Sequence, residues 1–357
     1  MLKLPLAILS LIYGTGVWVR NKCFDFGLLK SEHFPVPVIG TGNLSVGGTG
    51  KTPHTEYLIR LLQRSGLNVA VLSRGYKRKS RGYLLATPET DVAQIGDEPF
   101  QMKQKFPQIR VAVDANRRRG IRQLMAQNNP PVDVILLDDA FQHRYVHPGL
   151  NILLTDSTHP FFHDRLMPLG RLREPPSSAR RADIVIFTKC PDMDDDSNLR
   201  APFARPFTFS PGQQVYFSAI RYEELIPLFG GEPRRLQSIT PDTSILLLTG
   251  IAHPTPLKKK LEAYTPHVDL FAYPDHYAFT GNDLRYIRQQ FRHTWIVTTE
   301  KDAARLKNHP ALDHSLRQYL YVLPINIVFL HHQQKYFNQI IMKYVTDHSR
   351  NSDLFEK

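Results

Sequence analysis

The sequence predicts an α/β protein, in which a mostly parallel sheet flanked by helices is followed by a smaller second α/β unit. Three observations carry this expectation. Short uninterrupted Val/Ile/Leu runs alternate with longer helical segments. A glycine-rich run ending in Gly-Lys-Thr lies between a strand and a helix. An acidic, proline-punctuated stretch then breaks the alternation near residues 192–211.

Uninterrupted apolar runs mark strands buried on both faces, as in a parallel sheet covered by helices on each side. Such runs occupy 37–40, 69–73, 110–113, 134–137, 151–155 and 184–188. Past the break they recur at 215–220, 244–249, 268–272, 295–299 and 319–323. The expected organisation is therefore an N-terminal segment over 1–30, a core over 31–205 and a smaller α/β domain over 206–357. The chain has 357 residues, 42% of them hydrophobic and 22% charged, which excludes collagen-like, disordered and multi-span membrane classes. Two distant cysteines, Cys23 and Cys190, exclude a disulfide framework and a four-thiolate zinc site. Lys and Arg outnumber Asp and Glu by 45 to 33, so the surface should attract polyanions: nucleic acid, an anionic membrane or a phosphorylated substrate.

The uncharged run from Leu4 to Val19 is bounded by Lys3 and by Arg20 and Lys22. A spanning helix needs roughly 20 apolar residues, and this run contains Pro5, Ser10, Gly14, Thr15 and Gly16. An interfacial helix with Leu6, Leu9, Tyr13 and Trp18 toward lipid fits better. A signal peptide and a helix packed on its own domain are the competing readings; no small-residue cleavage pattern follows, and a nucleotide loop starts about twenty residues later.

That loop is Gly42-Asn43-Leu44-Ser45-Val46-Gly47-Gly48-Thr49-Gly50-Lys51-Thr52-Pro53. Phosphate oxygens need several converging backbone N–H groups and a helix N-terminus behind them, and glycines permit that approach. Asn43, Ser45, Gly47, Gly48, Thr49, Gly50, Lys51 and Thr52 are the candidate nucleotide-binding residues, with Lys51 reaching the β- and γ-phosphates and Thr52 holding Mg²⁺. Ser45 stands where the strict Gly-x-x-x-x-Gly-Lys-Thr pattern has glycine, and Val46 stands where partitioning ATPases carry a signature lysine. The apolar strand 134–137 ends in Asp138-Asp139, and a carboxylate at that place in a P-loop NTPase helps hold Mg²⁺. These features define the core as a P-loop NTPase core.

The loop, together with Leu72-Ser73-Arg74-Gly75-Tyr76, Gly96-Asp97-Glu98-Pro99, Asp138-Asp139-Ala140-Phe141-Gln142-His143, Gly170-Arg171-Leu172-Arg173-Glu174-Pro175, Pro274-Asp275-His276 and Thr299-Glu300-Lys301-Asp302, resembles the tetraacyldisaccharide 4'-kinases, the lipid A kinases of Gram-negative bacteria. The resemblance runs from about residue 40 to 305 and extends to the N-terminal run, which resembles that family's membrane-associating helix. It implies transfer of the γ-phosphoryl of ATP to the 4'-hydroxyl of an anionic glycolipid, a tetraacylated disaccharide 1-phosphate. It also implies a peripheral or monotopic place on the cytoplasmic face of the inner membrane, and no nucleic-acid partner. By resemblance Asp97 is the proton acceptor, supported by His276; with His276 in the second domain, closure on ATP and lipid is expected to bring the two together. Lys51, Thr52 and Asp138 or Asp139 neutralise phosphoryl charge. Arg171 and Arg173, with Glu174 beside them, are favoured for the 1-phosphate; Arg74 to Arg81 and Arg117 to Arg119 compete, or are solvated faces or head-group contacts. Ala140 stands where glycine is common, which places the local backbone path in question.

A nucleic-acid-stimulated P-loop ATPase would also account for the charge, but leaves the apolar N-terminal run unexplained. A GTPase reading wants Asn/Thr-Lys-x-Asp, whereas Thr188-Lys189-Cys190-Pro191-Asp192 places its aspartate one position late. A non-enzymatic scaffold would require a vestigial loop, against the intact Lys51 and Thr52.

Overall fold

A computed structural model of the chain describes residues 3–191, 208–275, 277–307 and 309–348. The N-terminal part contains α1 (Lys3–Asp25), β1 (Val38–Asn43), α2 (Lys51–Arg64), β2 (Val69–Ser73), β3 (Leu84–Leu85), α3 (Val92–Ile95), α4 (Asp97–Lys105), β4 (Arg110–Val113), α5 (Arg117–Met125), β5 (Val134–Leu137), β6 (Leu150–Asp156) and β7 (Ile184–Thr188). After it come β8 (Gln214–Tyr222), β9 (Ile226–Pro227), β10 (Ile245–Thr249), α6 (Thr255–Glu262), β11 (Val268–Ala272), α7 (Gly281–Gln290), β12 (Trp295–Thr298), α8 (Glu300–Leu306), α9 (His314–Arg317), β13 (Leu320–Val322), β14 (Ile325–Phe329) and α10 (Gln334–Thr346).

These strands form a nine-stranded sheet, ordered β14-β8-β7-β6-β1-β5-β2-β4-β3, and a five-stranded sheet, ordered β11-β10-β12-β13-β9. The large sheet is parallel from β8 to β4, with antiparallel strands at both edges, β14 on β8 and β3 on β4. Side chains alternate across a strand, and both alternating sets are buried. Val134 and Leu136 of β5 pack with Ile39, Val71 and α2, whereas Ile135 and Leu137 pack with Val38, Leu72 and α5. This two-sided burial is the reason the strands read as continuous apolar runs.

The sheets divide the chain differently from the expected boundary at 206. Strand β8 continues the large sheet beside β7, and after the five-stranded sheet is complete the chain returns to it through β14 and α10. Phe337, Ile341 and Val345 of α10 are buried in the same cluster as Tyr216, Phe329 and the strands of the first part. The five-stranded sheet is thus an insertion spanning 226–322, with cores of its own on both faces. Of the expected junction at 192–211, residues 192–207 lie outside the described residues.

Helix α1 lies along the large unit. Ser10 Oγ donates to the Leu166 carbonyl at 2.9 Å and Tyr13 Oη to the Arg173 carbonyl at 2.8 Å. Farther along, Arg20 donates to the Gln142 carbonyl at 2.7 Å, and Arg144 donates to the Asn21 carbonyl at 2.9 Å and to Asp25 at 2.8 Å. Its other side is left open: Leu4, Ile8, Leu9, Leu11, Ile12, Trp18 and Val19 are exposed. No helix among the described residues is long and apolar enough to cross a membrane.

Phe337 stacks on Phe329 with ring centroids 4.3 Å apart and meets Tyr216 edge-on at 5.3 Å. Because α10 completes the core of the large sheet, Phe337→Ala should lower the unfolding free energy by about 3–5 kcal/mol, the range for emptying a buried aromatic site. Denaturant unfolding followed by intrinsic fluorescence measures this, and a loss below about 1 kcal/mol would contradict the assignment of α10 to that core.

Candidate active site

The core of the phosphate site lies at the carboxyl ends of strands in the large sheet, where ligands of open α/β sheets collect. Strand β1 delivers the glycine-rich loop, β2 Ser73, β4 Asp114, β5 Asp138 and Asp139, and β7 Thr188. The loop turns into α2 at Gly50, whose φ of 82° is left-handed and suits glycine. No side chain caps the helix there. The first-turn N–H groups of α2 are therefore not taken by a capping oxygen and carry the positive end of its dipole. Gly47 and Gly48 have open space where a side chain would project.

The loop is held on three sides. Val46 N–H donates to the Arg171 carbonyl at 2.8 Å and Arg173 N–H to the Leu44 carbonyl at 2.7 Å, a two-residue antiparallel bridge around Ser45 and Leu172. Thr188 Oγ1 donates to the Thr49 carbonyl at 2.9 Å. Asn43 Nδ2 donates to Thr49 Oγ1 at 2.7 Å, and Gln142 Nε2 to the Asn43 carbonyl at 2.8 Å. Asn43 Oδ1 is buried with no hydrogen-bond partner among the described residues. Asn43 and Thr49 thus shape the loop from inside, and the Thr49 N–H closes a tight turn on the Gly47 carbonyl at 3.1 Å.

The adjacent aspartates are unlike. Asp138 is fully buried and accepts from Ser73 Oγ at 3.2 Å and Thr55 Oγ1 at 3.4 Å. Burial, and then the Asp139 charge, push its carboxyl above the usual carboxylate range. Asp139 also feels burial pushing it upward, but Lys51 and Arg173 outweigh that and hold it below the usual range. Lys51 Nζ lies 3.7 Å from Asp139 Oδ1, and Arg173 Nη1 lies 3.1 Å from both Asp139 oxygens. The positive φ in question at Ala140 falls instead on Asp139, at 48°. The Asp138 and Asp139 carboxylates, with the Thr52 hydroxyl at the start of α2, are oxygen donors of the kind that suits a hard divalent cation completed by phosphate oxygens; such a cation would also relieve the Asp139 repulsion that adds to burial in raising Asp138.

Arg171 is half-exposed and tied to Asp164 through Nε at 2.9 Å, whereas Arg173 is engaged by Asp139 and Gln142. Arg74 is exposed, and its charge acts on Arg117 and His143. Arg117 is no solvated-face residue: it is 3% exposed and donates to the main-chain carbonyls of Asp114 and Asp138. Glu174, expected beside substrate, is 1% exposed; its carboxylate accepts from Arg181 at 2.6 Å and Asn21 at 3.3 Å, so it seats α1 on the core. An acid flanked by cations in a motif carries no sequence mark of which side it faces.

Asp97 opens α4 directly after Gly96, whose φ of 88° lets one residue end α3 and start α4. Both of its oxygens accept from Arg305 of α8, at 3.1 and 2.5 Å. His276, its expected partner, lies outside the described residues. Sequence reasoning gave no role to Arg305 or Glu98. Burial and then the Asp138 charge push Glu98 up to about 7, which makes it part of the same electrostatic neighbourhood as Lys51 and Lys301.

Beneath the loop, His54 packs at 3% exposure with Nδ1 2.7 Å from the Gly50 carbonyl and Nε2 2.9 Å from Ser218 Oγ. Burial lowers its pKa to about 4. A folded-state value below the unfolded one means that the unfolded chain binds the proton first as pH falls, so this stability is present above about 6.5 and is lost toward about 4. Across that window His54→Gln should remove up to about 3 kcal/mol of the pH dependence of unfolding. Thermal or urea unfolding of both proteins from neutral to acidic pH measures it, and parallel stability curves would contradict a neutral buried imidazole.

Comparison with known proteins agrees with this geometry. The family model described as LpxK, Tetraacyldisaccharide-1-P 4'-kinase, matches residues 2–346. A tetraacyldisaccharide 4'-kinase of Phocaeicola vulgatus is 52% identical over 351 residues, covering 96% of this chain and 95% of the relative. One from Flavobacterium johnsoniae is 44% identical, covering 95% and 96%. Among solved structures, an "apo" form of LpxK from Aquifex aeolicus, crystallised in complex with ATP, superposes with a TM-score of 0.75 at 29% identity, covering 97% of this chain and 100% of that one. The chain belongs to the tetraacyldisaccharide-1-P 4'-kinase family.

Proposed function

We propose that the protein transfers the γ-phosphoryl of ATP to the 4'-hydroxyl of a tetraacyldisaccharide 1-phosphate. The observation that carries this reading is the uncapped N-terminus of α2 behind a glycine loop, with Lys51 3.7 Å from Asp139 beside it. The family and the ATP-bound relative support it.

The triphosphate lies on the N–H groups from Gly47 to Thr52, with Lys51 against the β- and γ-phosphate oxygens. The Thr52 hydroxyl and the carboxylates of Asp138 and Asp139 are the residues that would hold Mg²⁺, which supplies further neutralisation of phosphoryl charge. Arg173, already fixed by Asp139 and Gln142, serves this phosphate side. Arg171, whose Nε pairs with Asp164, and the exposed Arg74 are the guanidiniums proposed for the 1-phosphate, where a planar fork can bind two oxygens. In the reaction the 4'-oxygen forms the new bond to the γ-phosphorus, the bond from that phosphorus to the β–γ bridging oxygen breaks, and ADP leaves. Asp97 receives the hydroxyl proton; His276 is its proposed support.

The acceptor carries four acyl chains, and α1 gives a reason for lipid to be near. Its exposed Leu4, Leu11 and Trp18 suit the acyl-headgroup boundary, with Lys22 and Arg20 nearby for anionic groups. We assign the protein to the cytoplasmic face of the inner membrane, where ATP and such a lipid meet.

A mixed-micelle assay with labelled ATP and tetraacyldisaccharide 1-phosphate tests the reading. Lys51→Met and Asp97→Ala should each lower turnover by at least about a hundredfold, the scale for losing a phosphate-stabilising cation or a positioned base. Wild-type turnover in the Asp97 variant would move the base elsewhere.

A further inference from the structure

The geometry of the Thr299-Glu300-Lys301-Asp302 segment leads back to Asp97. Thr299 caps α8, and Asp302 in the first turn is fully buried. Asp302 Oδ2 accepts from Thr249 Oγ1 at 2.9 Å, Gly250 N–H at 3.0 Å and Thr299 Oγ1 at 2.7 Å. These donors come from the ends of β10 and β12, so the five-stranded sheet fixes one oxygen of Asp302. Its other oxygen accepts from Arg305 Nη1 at 3.0 Å. The remaining edge of the same guanidinium meets Asp97: Nε donates to Oδ1 at 3.1 Å and Nη2 to Oδ2 at 2.5 Å. The Arg305 side chain is 8% exposed and that of Asp97 15%. Beside this bridge, Lys105 of α4 pairs with Glu300 of α8 and with Glu56 of α2, which docks α8 on the large unit.

A plain interdomain salt bridge would need only one contact. Here one planar group is gripped on two edges, by a carboxylate anchored in one sheet and by the candidate proton acceptor of the other. A fork on both oxygens fixes the plane of the Asp97 carboxylate, which a single-point contact would leave free to rotate. A two-bond fork does not by itself exhaust an ionised carboxylate, which offers about four acceptor positions.

We propose that Arg305 is a positioning residue for phosphoryl transfer, holding the plane of the Asp97 carboxylate that receives the acceptor hydroxyl proton. Asp302 and the strand ends behind it set the position of Arg305, which gives the five-stranded sheet a direct part in the geometry of the reacting centre. The inference rests on the reading of Asp97 as proton acceptor.

The test is steady-state kinetics of full-length wild type, Asp97→Ala, Arg305→Gln and Arg305→Lys with ATP and tetraacyldisaccharide 1-phosphate in mixed micelles. Arg305→Gln should lower kcat by about ten- to a hundredfold, the scale of a misplaced catalytic group, with KM for both substrates within about twofold. Arg305→Lys, which keeps the charge and loses the fork, should fall between Gln and wild type. The inference is overturned by a Gln variant with wild-type kcat, by KM values that rise in step with the kcat loss, or by a Lys variant no better than Gln. Should Arg305→Gln fail to fold, Arg305→Lys decides alone: reduced kcat at unchanged KM supports the inference, and wild-type kcat overturns it. A wild type without turnover on the glycolipid, or an Asp97→Ala variant as fast as wild type, overturns the underlying reading and the inference with it; unchanged Arg305 variants beside an active wild type and a slow Asp97→Ala overturn the inference alone.

Discussion

A helix N-terminus left without a side-chain cap, at the carboxyl edge of a parallel sheet, is the constraint around which this molecule is arranged. Helices normally satisfy their first N–H groups with a Ser, Thr, Asp or Asn oxygen, as α5 does with Asn116 and α8 with Thr299. Helix α2 starts from Gly50 instead. The donors spared there are useful only to an anion, and the loop before them must hold its shape with few side chains of its own. The neighbouring segments supply that support through main-chain contacts from Arg171 and Arg173, the Thr188 hydroxyl and the Gln142 side-chain amide. The Gly170-Arg171-Leu172-Arg173 motif is therefore as much a splint for the loop as a source of cations.

Charge placement follows from the same edge. Asp138 and Asp139 are adjacent at the end of β5, and two neighbouring carboxylates cannot both be comfortable without cations. Lys51 and Arg173 stabilise Asp139, whereas Asp138 turns inward to Ser73 and Thr55. Helix α1 reaches the same segments from the other direction, through Tyr13 to the Arg173 carbonyl and Arg20 to the Gln142 carbonyl. The helix whose other side leaves apolar side chains open is thus hydrogen-bonded directly to residues that hold the phosphate loop.

Much of the large sheet was legible because strands buried on both faces leave long apolar runs, and β2, β4, β5 and β7 appear with the bounds read from sequence. Strand β14 was not, since Ile325-Asn326-Ile327-Val328-Phe329 is a short edge strand directly after Pro324, and without it the return of the chain to the first unit is invisible. The loop residues and the acidic strand end were readable because phosphate chemistry dictates their type and order. Arg305 was not readable: its meaning depends on α8 packing against α4, a contact across 208 residues that no local pattern encodes. Glu174 shows the opposite failure, a motif residue whose buried pairing with Arg181 only the fold reveals.

The central claim, that the open start of α2 receives a triphosphate, is tested most directly by hydrogen exchange of the loop amides with and without a non-hydrolysable ATP analogue. The account predicts strong nucleotide-dependent protection from Gly47 to Thr52, with little change in the buried strand β1 that precedes them. Exchange of those amides unaffected by saturating nucleotide would contradict it.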